Sequence, residues 1–304
     1  MVSRTTLILL LAIFLIGCRP VQAPPTMTPV VEATAIPATP VHVSDEAALI
    51  RNAPYQLGTP VSLQIVQLKD GKFEQGTPGG ADYISVQVTD FAATGDLNAD
   101  GSDEIAALIA ENFGGTGVFV FLVVYTDVNG TPTFFTSSIV DDRPQLNALS
   151  IENGEIFLDA TIHGTEDPMC CPTLKTTRHY KLVNDQLDMT DFTSFTPDGK
   201  PRTITIESPV DGTEAHSKVQ LKRNVAIAPF ENNLTYSIKD GAGVEISRGA
   251  ITVNATDLGA PGTFDSLISL GNIITDTVIT IEVQDLSAAD GSLLAMDSVE
   301  LVVK

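Results

Sequence analysis

The chain is predicted to be all-β, an antiparallel β domain followed by a β-sandwich. Three observations predict it. Its apolar runs are filled by Val, Ile, Thr and Phe, the residues that fit a pleated, half-buried surface. They are short, and turn chemistry separates them, as at Lys69-Asp70-Gly71-Lys72, Asp127-Val128-Asn129-Gly130 and Glu152-Asn153-Gly154. Finally, 23 Gly and 18 Pro interrupt any long helical period.

The N-terminus gives an address. Arg4 supplies a positive flank, and Leu7 to Ile16 forms an apolar core of ten residues. That is shorter than the roughly 20 a spanning helix needs. Leu15-Ile16-Gly17-Cys18 follows and resembles a bacterial lipobox. The resemblance implies a signal peptide over residues 1–17, cleavage before Cys18 and acylation of its thiol. Membrane contact would run through this lipid alone, because 38 acidic against 17 basic residues, a net charge of −21, oppose adsorption to anionic lipid. The same charge excludes nucleic acid as a partner. Residues 18–44 are rich in Pro, Thr and Ala without an amphipathic period and read as an extended stalk. Ser44-Asp45-Glu46 then caps one or two helical turns that end near Pro54.

A β-rich domain is expected over residues 45–195. Its strands are Val61–Leu68, Tyr83–Val88, Ile105–Ala110, Val118–Tyr125, Ala148–Ile151, Glu155–Thr161, Thr177–Leu182 and Leu187–Met189. Val118–Tyr125 is apolar enough to be central, and the short turns make the order a meander. Thr196-Pro197-Asp198-Gly199-Lys200-Pro201 reads as a linker.

Seven further strands are expected over residues 202–304: Thr203–Glu207, Lys218–Ala226, Leu234–Lys239, Val244–Val253, Phe264–Leu270, Val278–Asp285 and Ser298–Val303. Seven short strands in this length suit an immunoglobulin-like sandwich, without the Cys pair and Trp of antibody domains. Ile204-Thr205-Ile206-Glu207-Ser208-Pro209-Val210-Asp211-Gly212, Phe230-Glu231-Asn232-Asn233-Leu234 and Asp285-Leu286-Ser287-Ala288-Ala289-Asp290-Gly291 resemble the immunoglobulin-like domain of bacterial spore-germination lipoproteins. Arg223-Asn224 stands where that pattern has a glycine. The resemblance implies an extracytoplasmic module with an accessory or binding role.

Asp96, Asn98, Asp100 and Ser102, with Glu104 beyond them, place oxygen donors at alternate positions, and Gly101 supplies the sharp turn of a calcium loop. Ala107 stands at the twelfth position, so the bidentate glutamate of a helical hand is missing. The loop resembles those between strands in integrin-like extracellular repeats, which implies a structural calcium held at about 0.1–1 mM. A plain Asp/Gly turn is the alternative.

If Cys18 is acylated, the remaining cysteines are the adjacent Cys170 and Cys171. In an oxidising compartment they can close a vicinal disulfide. Free or intermolecular thiols are a second reading, and chelation with His163 and His179 a third. Asp167-Pro168-Met169-Cys170-Cys171-Pro172, with the preceding Asp-rich loop, resembles a group of uncharacterised bacterial lipoproteins over about residues 90–182 and implies no mechanism.

No enzyme motif is present. Gly114-Gly115-Thr116-Gly117 lacks a following lysine in phosphate-loop spacing, and the four histidines sit in no H-E-x-x-H or nucleophile-elbow context. The expectation is a lipid-anchored, extracytoplasmic cell-envelope protein without catalytic residues. It would bind an envelope protein or polysaccharide through the sandwich edge or the Cys-Cys turn. The alternatives are a cell-wall glycan hydrolase using acidic residues near the calcium-type loop, and a passive spacer.

Overall fold

The computed structural model describes residues 45–58, 64–271 and 273–304. The expected signal peptide, Cys18 and the stalk lie outside the described residues. Among the described residues no helix is long and apolar enough to cross a membrane.

The first elements are α1 (Asp45–Leu49), β1 (Pro54–Gln56), β2 (Ile65–Gln67), β3 (Lys72–Gln75), β4 (Ile84–Gly95), β5 (Glu104–Asn112), β6 (Phe119–Asp127) and β7 (Pro132–Asp142). β1 and β2 pair with each other, and β3 to β7 form an antiparallel five-stranded meander in chain order. The reason β6 is so apolar is that both faces of this sheet are covered. Phe121, Val123 and Tyr125 pack with Ile50, Tyr55 and Leu57 on one side. Val120, Leu122 and Val124 pack on the other with Ile156, Leu158 and Tyr180. A strand buried on both faces loses the alternation of a half-exposed one. β7 has no counterpart among the predicted strands. Ser137-Ser138 interrupt its apolar run, and most of its residues are only half-buried.

At Arg143, in the left-handed region with φ 52°, the chain leaves this sheet. It continues as β8 (Gln145–Glu152), β9 (Glu155–Ile162), β10 (Leu174–Val183) and β11 (Gln186–Phe195), a second meander. The expected linker is a hairpin turn, in which Thr196 N–H donates to Lys200 O at 2.9 Å. It returns the chain as β12 (Pro201–Arg202) against the end of β11.

The C-terminal region comprises β13 (Ile204–Ser208), β14 (Thr213–Ala215), β15 (Lys218–Val225), β16 (Asn233–Asp240), β17 (Glu245–Thr252), β18 (Asn254–Ala255), β19 (Gly262–Ser269), β20 (Thr277–Leu286) and β21 (Leu293–Val303). One sheet has the order β13-β15-β19-β18, which is the A-B-E-D order of an immunoglobulin-like sandwich. The facing strands run β17-β16-β20-β21, the C′-C-F-G order, and β14 adds to β21 in parallel. β15 alternates strictly, with Val219, Leu221, Arg223 and Val225 inward and Lys218, Gln220, Lys222 and Asn224 outward. The sandwich core is built from such alternating residues, Leu221, Phe264, Ile281 and Val299 among them.

The two regions share a sheet. β21 pairs with β11, so one ten-stranded sheet runs β17-β16-β20-β21-β11-β10-β9-β8, with β12 and β14 beside it. Its β8–β11 half is covered by the five-stranded meander. Its β16, β20 and β21 half packs against β13, β15 and β19.

Candidate functional site

Three places can carry function. The first is the turn between β4 and β5. Asp96 accepts N–H bonds from Asp100 (3.2 Å) and Gly101 (3.0 Å), while Asn98 Oδ1 accepts from Asp100 at 2.9 Å. Asp100 accepts from Ser102 N–H at 2.8 Å. Glu104 is buried at the start of β5 and holds the loop from beneath, accepting from Leu97 N–H (2.9 Å) and Asn98 Nδ2 (3.2 Å). Gly101, at φ 88°, takes the backbone form that glycine adopts freely. Burial raises the pKa of Glu104, and repulsion from Asp100, Asp96 and Asp103 adds to it. The donor set suits a hard cation by type and spacing. By position the oxygens are turned onto the loop's own N–H groups. Among the described residues no group of three or more His, Cys, Asp or Glu is gathered to hold a metal.

The second place is the loop between β9 and β10. Cys170 and Cys171 are joined by a disulfide and exposed, next to Met169 at 58% exposure. Asp167 organises the loop from both ends, accepting from Gly164 N–H (2.8 Å), Thr173 N–H (2.6 Å) and Thr173 Oγ1 (2.8 Å). These donors hold its carboxyl below the usual carboxylate range. The histidines weighed as co-ligands are engaged elsewhere. His163 Nδ1 lies 3.3 Å from Asp141, and His179 stacks near Phe157 with Glu155 3.9 Å away. Thr165 donates to Asp290 at 2.8 Å, which seats the loop against the turn between β20 and β21.

The third place was missed by sequence reasoning. β11 pairs with β21 over three positions only, Asp191↔Asp297, Phe192↔Met296 and Thr193↔Ala295. Thr190 is an extra residue in β11, where the register against β10 shifts. Beyond it β11 follows β10 and β21 follows β20, so the sheet forks. The fork is a cleft of about 420 Å³. Its lining includes Glu155, Asp188, Asp191, Asp211, Glu282 and Asp297, against Lys181, Lys239 and His179. Lys181 bridges Glu155 and Asp211 at 3.0 Å each, and Lys239 pairs with Glu282. Burial pushes Asp191 up to about 7, helped by the facing charge of Asp297. Asp297 is raised for the same first reason. The sequence signal for this site was an aspartate in each of two strands 106 positions apart, which nothing local could connect.

Residues 203–292 match the family model of Gmad2, the immunoglobulin-like domain of bacterial spore germination. No curated protein matches the chain. The matched part is therefore an immunoglobulin-like sandwich, a non-catalytic type of fold, and it bears out the resemblance for that part.

Proposed function

We propose that the protein is a non-catalytic binding module of the bacterial cell envelope, anchored by lipid on Cys18 and facing the extracytoplasmic side. A structural calcium in the Asp96–Glu104 loop belongs to this reading. The partner is an envelope protein or polysaccharide. The observation that carries the proposal is the Thr165–Asp290 contact, which ties the loop bearing the exposed Met169-Cys170-Cys171 turn to a loop of the immunoglobulin-like sandwich. An exposed apolar turn on a loop tied to the sandwich offers a surface of the kind that contacts partners. In this reading the calcium loop has a stabilising role, since Glu104 ties it to β5 in the core.

Co-sedimentation of the purified full chain with isolated cell-wall polysaccharide, and cross-linking in intact envelopes, test it. Met169→Ala combined with Cys170→Ser and Cys171→Ser is expected to weaken capture about tenfold or more while the melting temperature changes little. Unchanged capture by the triple variant would reject this surface. Release of soluble sugars from the polysaccharide would favour the hydrolase instead.

A further inference from the structure

The junction between β11 and β21 is short and oddly built. Three paired positions join two halves of a ten-stranded sheet. Hydroxyls extend the ladder at each end: Ser298 Oγ donates to Thr190 O at 2.9 Å, and Ser194 Oγ donates to Leu294 O at 2.5 Å. At the fork end of the ladder, Asp191 and Asp297 stand directly opposite each other. Directly opposite residues in an antiparallel pair have Cβ atoms about 5 Å apart, and like charges there are destabilising.

Asp297 is held as the acceptor of the pair. Its Oδ2 takes the Ile206 N–H at 2.5 Å, its Oδ1 takes the Ser298 N–H at 2.8 Å, and Arg223 Nη1 lies 3.5 Å away. Among the described residues Asp191 has one weak hydrogen-bond partner, the Thr193 hydroxyl at 3.5 Å. We propose that Asp191 and Asp297 form a pH-sensitive clasp that keeps one proton, on Asp191, while the β11–β21 junction is closed and opens the fork when that proton leaves. The proton sits on the Asp191 carboxyl, which stands opposite the Asp297 carboxylate across the ladder. Its loss to solvent leaves two facing negative charges, and the irregularity at Thr190 lets β11 move off β21.

The surrounding charges do not supply a substitute cation. From β10, His179 is opposite Asp191 in register, and burial lowers its basicity. Lys181 is bound to Glu155 of β9 and to Asp211 of the loop before β14. Lys239 of β16 is bound to Glu282 of β20. Arg223 of β15 reaches Asp297 with one nitrogen, while its Nε and Nη2 lack hydrogen-bond partners among the described residues. Asp188 of β11 and Glu300 of β21 add further negative charge to the cleft.

The sign follows from linkage. Closed, Asp191 keeps its proton up to about pH 7; opened to water it would lose it near the ordinary value of about 4. Opening therefore becomes about tenfold easier per pH unit between those values and levels off above. Amide hydrogen exchange of the full chain in detergent, corrected for intrinsic rates and followed from pH 5 to 8.5, tests the clasp. Residues 191–193 and 295–297 are expected to lose protection with this slope up to about pH 7 and then plateau. Asp191→Asn keeps a donor without a titrating proton and is expected to give a flat profile. His179→Gln removes the histidine opposite Asp191 and is expected to leave the wild-type profile in place. A flat wild-type profile, or a profile that vanishes in His179→Gln, would overturn the proposal.

Discussion

β6 and β15 are both central strands, and their sequences look unrelated. β6 reads as an unbroken apolar run from Phe119 to Tyr125, whereas β15 alternates residue by residue. The difference lies in what covers them. The five-stranded sheet has a core on each face, with Ala107 and Val123 on one side and Leu108 and Leu122 on the other. β15 has the sandwich interior on one face and solvent on the other. Local pattern thus reports how many layers a strand will lie between, and it does so before the layers are known. Arg223 is the one inward position of β15 that breaks the alternation of type, and its guanidinium reaches across the sandwich to Asp297.

The comparison can be broken by substitution. Leu122→Ala empties a site with no exposed surface inside the doubly covered sheet, and a loss of about 3 kcal/mol is expected in denaturant unfolding. Gln220→Ala, on the outward face of β15, is expected to stay within about 0.5 kcal/mol. Equal costs would mean that β6 is not covered on both sides.

Acidity sharpens the same contrast. Asp191, Asp297, Asp285 and Glu111 all have their pKa values raised, first by burial. The folded protein holds protons that the unfolded chain would release, so this stability is present at pH 4 and lost as pH rises toward the folded value, about 7 for Asp191. The carboxyls with lowered values in the two loops, Asp100 and Asp167, act only below the ordinary range. A fall of up to about 2 kcal/mol between pH 5.5 and 8 is expected, and urea titrations at both pH values measure it. Asp191→Asn is expected to remove most of it. Higher stability at pH 8 would contradict the buried-carboxyl account.

The smallest expected effect belongs to the Asp-rich loop. At roughly 2 mM calcium and the affinity range above, binding adds about 1 kcal/mol, visible as a small rise in melting temperature. Asp96→Ala is expected to abolish that rise, and a chelator is expected to reverse it in the wild type. An identical response in both proteins would remove calcium from the description.

Much of the strand order was legible because its signals are local. Asn153-Gly154 turns β8 into β9 with both residues at positive φ, 54° and 80°, and the alternation in β15 matches its burial residue by residue. β7 was not legible, because Ser137-Ser138 and a half-buried surface blur its period. Nor was the role of residues 196–201. Turn residues look the same in a spacer and in a hairpin, and only the pairing of Pro201–Arg202 with the end of β11 separates the two. Of the candidate sites, the Asp96–Glu104 turn and the Cys170-Cys171 loop could be found by motif. The fork could not.

By itself the sequence determined the β class, the places where the chain turns and the face each sandwich strand presents, since these depend on residues a few positions apart. Tertiary structure alone decided that β11 and β21 share a ladder and that Asp191 meets Asp297. A cross-strand contact between segments a third of the chain apart leaves no period in either one. Its consequences arise only when burial and a like charge act on the same carboxyl.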